Sequence, residues 1–192
     1  MTILTAVGIS AQQKTMKAYM VADAHLDTQW NWDVQATIRD HIRNTLQQNL
    51  MLLKKYPNYI FNFEGAVKYS WMKEYYPLEY EEMKKYIEAG RWHIAGSSWD
   101  ANEVIIGSPE SFLRNVLLGQ TFYRQEFNTE GTDIFLPDCF GFPYTLPRWL
   151  TTAGSSASRR RNCSGAPILS TTATGSIPSS SDSGRASTAA AS

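Results

Sequence analysis

Much is missing from this sequence, and each absence excludes something. There are two cysteines and three histidines in 192 residues, and the 18 basic side chains cancel the 18 acidic ones. Cys139 and Cys163 lie in segments of unlike character. They make neither a metal-binding spacing nor a disulfide framework, so the redox compartment cannot be read from them. The neutral balance argues against a nucleic-acid partner, which would demand a basic face. The one basic cluster, Arg159-Arg160-Arg161, sits among serines and reads as a solvated run. No apolar run is long enough for a membrane-spanning helix. No glycine-rich element has the form of a phosphate or dinucleotide cradle.

Aromatic residues are absent from one region alone. Every Trp, Tyr and Phe lies at or before Trp149, and Ser155 to Ser192 is dominated by Ser, Ala, Thr, Gly and Arg. Such a segment buries too little apolar surface to offset its ordering entropy, so residues 155–192 are expected to be disordered. The abrupt change after Gly154 fits an out-of-frame translation, which resequencing across that junction would test. At the other end, residues 1–13 read as the back half of a secretory signal with its cleavage region. That reading implies a periplasmic or secreted protein; without it the chain is cytoplasmic.

Between these ends, residues 14–154 carry the pattern of one domain. Ala18 to Asp27 is a mostly apolar run that predicts a buried strand. From Thr37 to Tyr56 apolar residues recur at Ile38, Ile42, Leu46, Leu50 and Leu53, a helical step that Pro57 ends. Tyr59 to Gly65 predicts a second strand, then helices over Ala66–Tyr76 and Glu79–Ala89 with Gly90 as terminator. Arg91 to Ser97 predicts a third strand. Ser108 caps a helix with Pro109 in its first turn. Asp133 to Asp138 predicts a fourth strand, and Leu146–Thr152 a last helix. Strands alternating with helices imply βαβ units and one parallel sheet.

In such sheets chemistry gathers beyond the carboxyl ends of the strands. The polar residues expected there are His25 and Asp27, Glu64, then Trp99, Asp100, Asn102 and Glu103, and finally Asp138. Residues at i and i+2 of a strand share a face, so His25 and Asp27 could reach one ion, with Asp138 a possible third ligand. Trp30, Trp32 and Trp99 fall in the same loops; indoles there could stack on a sugar or roof the core. Phe140, Phe142, Tyr144 and Trp149 are expected to pack. Arg114 could pair with a catalytic carboxylate or any surface acid. His41 and His93 are expected to be structural.

Three stretches taken together, "ADAHLDTQWNWD", "AGSSWDANEVIIGSPESFLRN" and "FLPDCFGFPYTLP", resemble the N-terminal catalytic domain of glycoside hydrolase family 38, the zinc-dependent α-mannosidases. The resemblance runs from about Ala18 to Gly154. It implies an α/β fold, the parallel-stranded (α/β)7-barrel of the glycoside hydrolase and deacetylase type, here with its first four or so βα units. It implies one zinc ion held by His25, Asp27 and Asp138, with Asp138 also the nucleophile. It places Arg114 in the active-site wall and makes mannose-containing glycans the partners; with that substrate, Trp30 and Trp99 are expected, from their loop positions, to be substrate-binding. The implied reaction is retaining hydrolysis of terminal α-D-mannosides. The family's general acid and fourth zinc ligand, a histidine, come from further downstream, and no histidine follows His93, so this chain alone is expected to be inactive. One alternative is a zinc-dependent polysaccharide deacetylase, which would need a histidine pair one helical turn apart. The other is a non-catalytic product that binds sugar or metal.

Overall fold

The computed structural model describes residues 22–152 and the backbone of 157–160 and 169–172. Three parallel strands form the first sheet in the order β1 (Ala22–Ala24), β2 (Phe61–Glu64), β3 (Trp92–Ala95). Each crossover is helical. β1 leads through α1 (Val34–Ala36), a π-helical stretch Thr37–Ile42 and α2 (Arg43–Lys55) to β2. The expected helix is there but begins three residues early, because Asp33 caps it: its carboxylate accepts from the Ala36 N–H at 2.8 Å. The periodic residues Ile38, Ile42, Leu46, Leu50 and Leu53 are all buried.

Between β2 and β3 run α3 (Ala66–Tyr75) and α4 (Pro77–Glu88). Pro77 separates them by opening α4 rather than by standing between helices, since its missing N–H is no loss in a first turn. α5 (Pro109–Phe127) starts as expected, with the Ser108 hydroxyl accepting from the Ser111 N–H at 3.1 Å. β4 (Asp133–Leu136) and α6 (Leu146–Thr152) follow. Among the described residues no helix is long and apolar enough to cross a membrane.

The strands are shorter than their apolar runs. β1 ends at Ala24, so His25 and Asp27 lie in the loop beyond it, and β4 ends before Asp138. The expected start at residues 18–21 lies outside the described residues, as does the signal-like stretch 1–13.

The expected single parallel sheet is not what forms. The ladder stops after β3, and β4 belongs to a second sheet with β5 (Ala157–Arg160), parallel, and β6 (Leu169–Thr172), antiparallel. β3 and β4 are joined by side chains instead: Asp133 Oδ1 accepts from the Gly96 N–H at 3.3 Å, and the Ser97 hydroxyl donates to the Asp133 carbonyl at 2.8 Å. The described residues therefore close no barrel. The tail, expected without structure over 155–192, lies mostly outside the described residues. Residues 157–160 and 169–172 within it are extended, β5 pairing with one edge of β4 and β6 with β5.

Two apolar clusters hold these parts. The first gathers α2, α3, α4 and the first sheet around Trp92, Phe61, Phe63, Tyr69, Met72 and Met83. Most of its ring pairs meet edge to face, as Trp92 does on Phe61 at 4.8 Å and 80°. Their polar tips are satisfied: Trp92 Nε1 donates to the Tyr69 hydroxyl, which donates to the Phe63 carbonyl. The second cluster joins α5, β4 and α6 through Phe112, Val116, Ile134, Leu136, Leu146 and Leu150. Gly119 lets α5 lie on the backbone of the loop after β3, where a Cβ would run into Ser97, Ser98 and Trp99.

Candidate metal centre

The loop after β1 and the turn after β4 meet at one point. His25, Asp27 and Asp138 each offer a ligand atom, and those atoms all lie within 4.8 Å of one another. His25 and Asp27 are half-buried and Asp138 is exposed. An i, i+2 pair on one strand face would place His25 and Asp27 within the strand. They lie beyond it, yet the loop keeps them together, with His25 Nε2 at 3.2 Å from Asp27 Oδ1.

His25 is gripped from behind. Its Nδ1 lies 3.0 Å from Oε1 of Glu64, the last residue of β2, whose side chain is buried. The Nζ of Lys68, fully buried on the first turn of α3, lies 3.4 Å from the same oxygen. The hydrogen bond to Glu64 raises the imidazole pKa, and burial opposes it. Burial pushes the Glu64 carboxyl upward, but the Lys68 charge and the His25 contact prevail and hold it below its ordinary value. An ionised Glu64 can only accept, so the His25 proton belongs on Nδ1. In the neutral ring Nε2 is then the acceptor, with Asp27 Oδ1 3.2 Å away. Nε2 is buried and has no hydrogen-bond partner among the described residues. A buried lone pair facing two carboxylates fits a divalent cation, and an N/O₂ donor set suits zinc.

The surrounding loops are fixed by polar contacts that the sequence did not announce. The Thr28 hydroxyl lies 2.6 and 2.7 Å from the two Asp100 carboxylate oxygens, tying the β1 loop to the β3 loop. Asn115 on α5 holds that second loop, accepting from the Asp100 N–H at 3.0 Å and donating to Asn102 Oδ1 at 2.7 Å. The buried Thr37 hydroxyl accepts from Trp32 Nε1 and donates to the Thr28 carbonyl, both at 2.8 Å. Glu103 turns away to accept from the Ile105 N–H.

The aromatic and arginine expectations divide. Trp30 is 69% exposed in the loop that carries His25 and Asp27, its ring edge-on to Trp32. Trp32 and Trp99 pack against the first core, Trp99 edge-on to Phe122 at 5.9 Å. Arg114 does not reach the centre: its guanidinium is exposed and paired with Glu110, four residues earlier on α5. Two residues expected to pack do not, since Phe140 is 80% and Tyr144 90% exposed; they follow Asp138 in a segment without regular structure, while Phe142 and Trp149 do join the second core. His41 stacks obliquely on Trp32 at 4.5 Å, and His93 is exposed on β3. Glu64 was visible as a rim carboxylate but had no role; Lys68 was missed. The signal was an acid and a base four residues apart across a strand–helix junction.

Residues 15–159 match the family model described as glycosyl hydrolases family 38 N-terminal domain. Alpha-mannosidase G of Dictyostelium discoideum is 31% identical over 138 residues, which are 72% of this chain and 13% of that protein. Human alpha-mannosidase 2C1 is 31% identical over 130 residues, 68% of this chain and 12% of that protein. Among solved structures, an alpha-mannosidase from Enterococcus faecalis V583 superposes with a TM-score of 0.65 at 22% identity, over 73% of this chain and 16% of that one. The 4-alpha-glucanotransferase of Thermococcus litoralis shares the fold more loosely, at a TM-score of 0.55 and 11% identity over 78% of this chain and 26% of that one. The chain thus spans a small part of the length of the relatives it matches. With the three motifs in order and the match running through all of them, the chain belongs to glycosyl hydrolase family 38 and carries its N-terminal domain.

Proposed function

We propose that this chain forms the zinc-holding, nucleophile-bearing face of an α-mannosidase centre that hydrolyses terminal α-D-mannosides with retention of configuration. The observation that carries the reading is the convergence of His25, Asp27 and Asp138, with a buried His25 Nε2 that has no hydrogen-bond partner among the described residues. Those three side chains would hold one zinc ion. Bound there, zinc supplies Lewis-acid attraction for the vicinal hydroxyls of a terminal mannose.

The exposed Asp138 is the member of the set open to an incoming sugar. Its carboxylate attacks the anomeric carbon as the bond to the leaving oxygen breaks, and that oxygen takes a proton from a general acid. Water then hydrolyses the resulting ester, releasing mannose and restoring Asp138, so two inversions leave net retention. Trp30, exposed in the loop that carries His25 and Asp27, would offer an indole face to the apolar side of the sugar ring. The deacetylase alternative is not favoured, because the relatives are α-mannosidases and the chain has no histidine pair at helical spacing.

Zinc titration by calorimetry and hydrolysis of an aryl α-mannoside test the reading together. One zinc per chain is expected, lost in His25→Ala and Asp27→Ala with the fold intact by circular dichroism. Turnover, where present, is expected to vanish with a chelator and with Asp138→Ala. Wild-type protein that takes up no zinc overturns the proposal.

A further inference from the structure

The polar group buried deepest behind the site is not a ligand. Glu64 closes β2, and Lys68 stands in the first turn of α3 with no exposed surface. Glycine at the junction makes room for the pair. Gly65 has φ +85°, which lets helix follow strand at once, and a Cβ there would come within 3.0 Å of the Lys68 ammonium. The ammonium also lies 5.9 Å over the Phe63 ring. A lysine and a glutamate seldom lie this deep unless paired, and a buried ion pair is weak evidence for stability, since apolar residues of like volume often do as well. Its geometry points elsewhere. Glu64 Oε1 faces Lys68 on one side and His25 Nδ1 on the other.

We propose that Glu64 and Lys68 are positioning residues for the metal centre: Glu64 accepts the hydrogen bond of His25 Nδ1–H and so presents the Nε2 lone pair to Asp27 and Asp138, while Lys68 fixes the carboxylate that does this. The inference rests on the zinc reading, but the two fail separately. A carboxylate behind a ligating imidazole sets its tautomer and ring orientation and raises its donor strength, and loss of such a partner lowers metal affinity roughly 10- to 100-fold. Here the carboxylate is itself held by a second buried charge. The relay thereby connects the ligand loop to the first turn of α3 and to the aromatic core beneath.

The test uses the whole chain and begins without metal. ¹⁵N NMR of the His25 imidazole in zinc-free wild-type protein, at a pH where the ring is neutral, is expected to show the proton on Nδ1. A proton on Nε2 overturns the proposal without any variant. Glu64→Gln alone would leave Lys68 buried and unpaired and could unfold the chain, so the decisive variant is Glu64→Gln with Lys68→Met, which removes both charges at similar volume. It is expected to keep its circular dichroism and melting behaviour, to show mixed His25 tautomers, and to bind zinc roughly 10- to 100-fold more weakly. Unchanged tautomer and unchanged zinc affinity in the double variant overturn the positioning role. Wild-type protein with the proton on Nδ1 but no zinc uptake overturns the zinc reading instead, and leaves the orientation of the ring supported.

Discussion

The two sides of the centre are built differently. His25 and Asp27 issue from a sheet whose core gathers fifteen buried apolar side chains among the described residues, six of them aromatic. Asp138 issues from β4, which rests on a cluster of eight such residues and is linked to β3 through Asp133 rather than by a ladder. The imidazole is gripped by a buried carboxylate, whereas Asp138 and its neighbour Phe140 stand in solvent. The contrast suits a division of labour. On the proposed function, a metal ligand that would keep one tautomer and one orientation belongs on the deeper core, and a group that would meet an incoming sugar must be reachable.

The largest test of this contrast is Trp92→Ala. It empties the centre of the first core and leaves the Tyr69 hydroxyl without its indole partner, so unfolding free energy is expected to fall by about 3–5 kcal/mol, measured by denaturant titration. Zinc at a hundredfold excess over its dissociation constant is expected to add about 2.7 kcal/mol to the same quantity, and Asp138→Asn to remove most of that gain. Leu146→Ala, in the smaller cluster, is expected to cost about 2 kcal/mol. Hydrogen exchange in that variant should quicken in β4 and α6 while β2 and β3 keep their protection. Equal quickening in both sheets would show that the two cores melt as one.

Two surface changes make the smallest tests. Trp30→Ala is expected to leave stability unchanged while weakening aryl mannoside binding by about 0.5–1.5 kcal/mol, read by competition. Arg114→Ala is expected to cost only the exposed pair with Glu110, about 0.3–0.5 kcal/mol, and to leave zinc affinity untouched. A loss of zinc binding in Arg114→Ala would mean that this side chain swings to the centre after all.

Some of this is legible in the sequence alone. The step of three or four from Ile38 to Leu53 is a helix because a buried stripe must recur with the helical turn, and every one of those positions is buried. Ser108 and Pro109 mark the start of α5 through local chemistry alone. The ligand candidates were legible too, through motif order and through their place after apolar runs. Strand lengths were not, since an apolar run continues past the last ladder bond; His25 and Asp27 sit in such an extension. Arg114 shows the same limit from the other side, because its nearest acid lay on its own helix while the sequence offered several.

The sequence by itself therefore determined the helices, the family and the three residues that converge, because each depends on local periodicity or on residue types in a fixed order. Only the tertiary structure decided that β4 leaves the first sheet, that Thr28 ties itself to Asp100, and that Glu64 and Lys68 stand behind His25. Those choices depend on which buried polar atoms can find partners once the chain is packed, a condition that no short window of sequence contains.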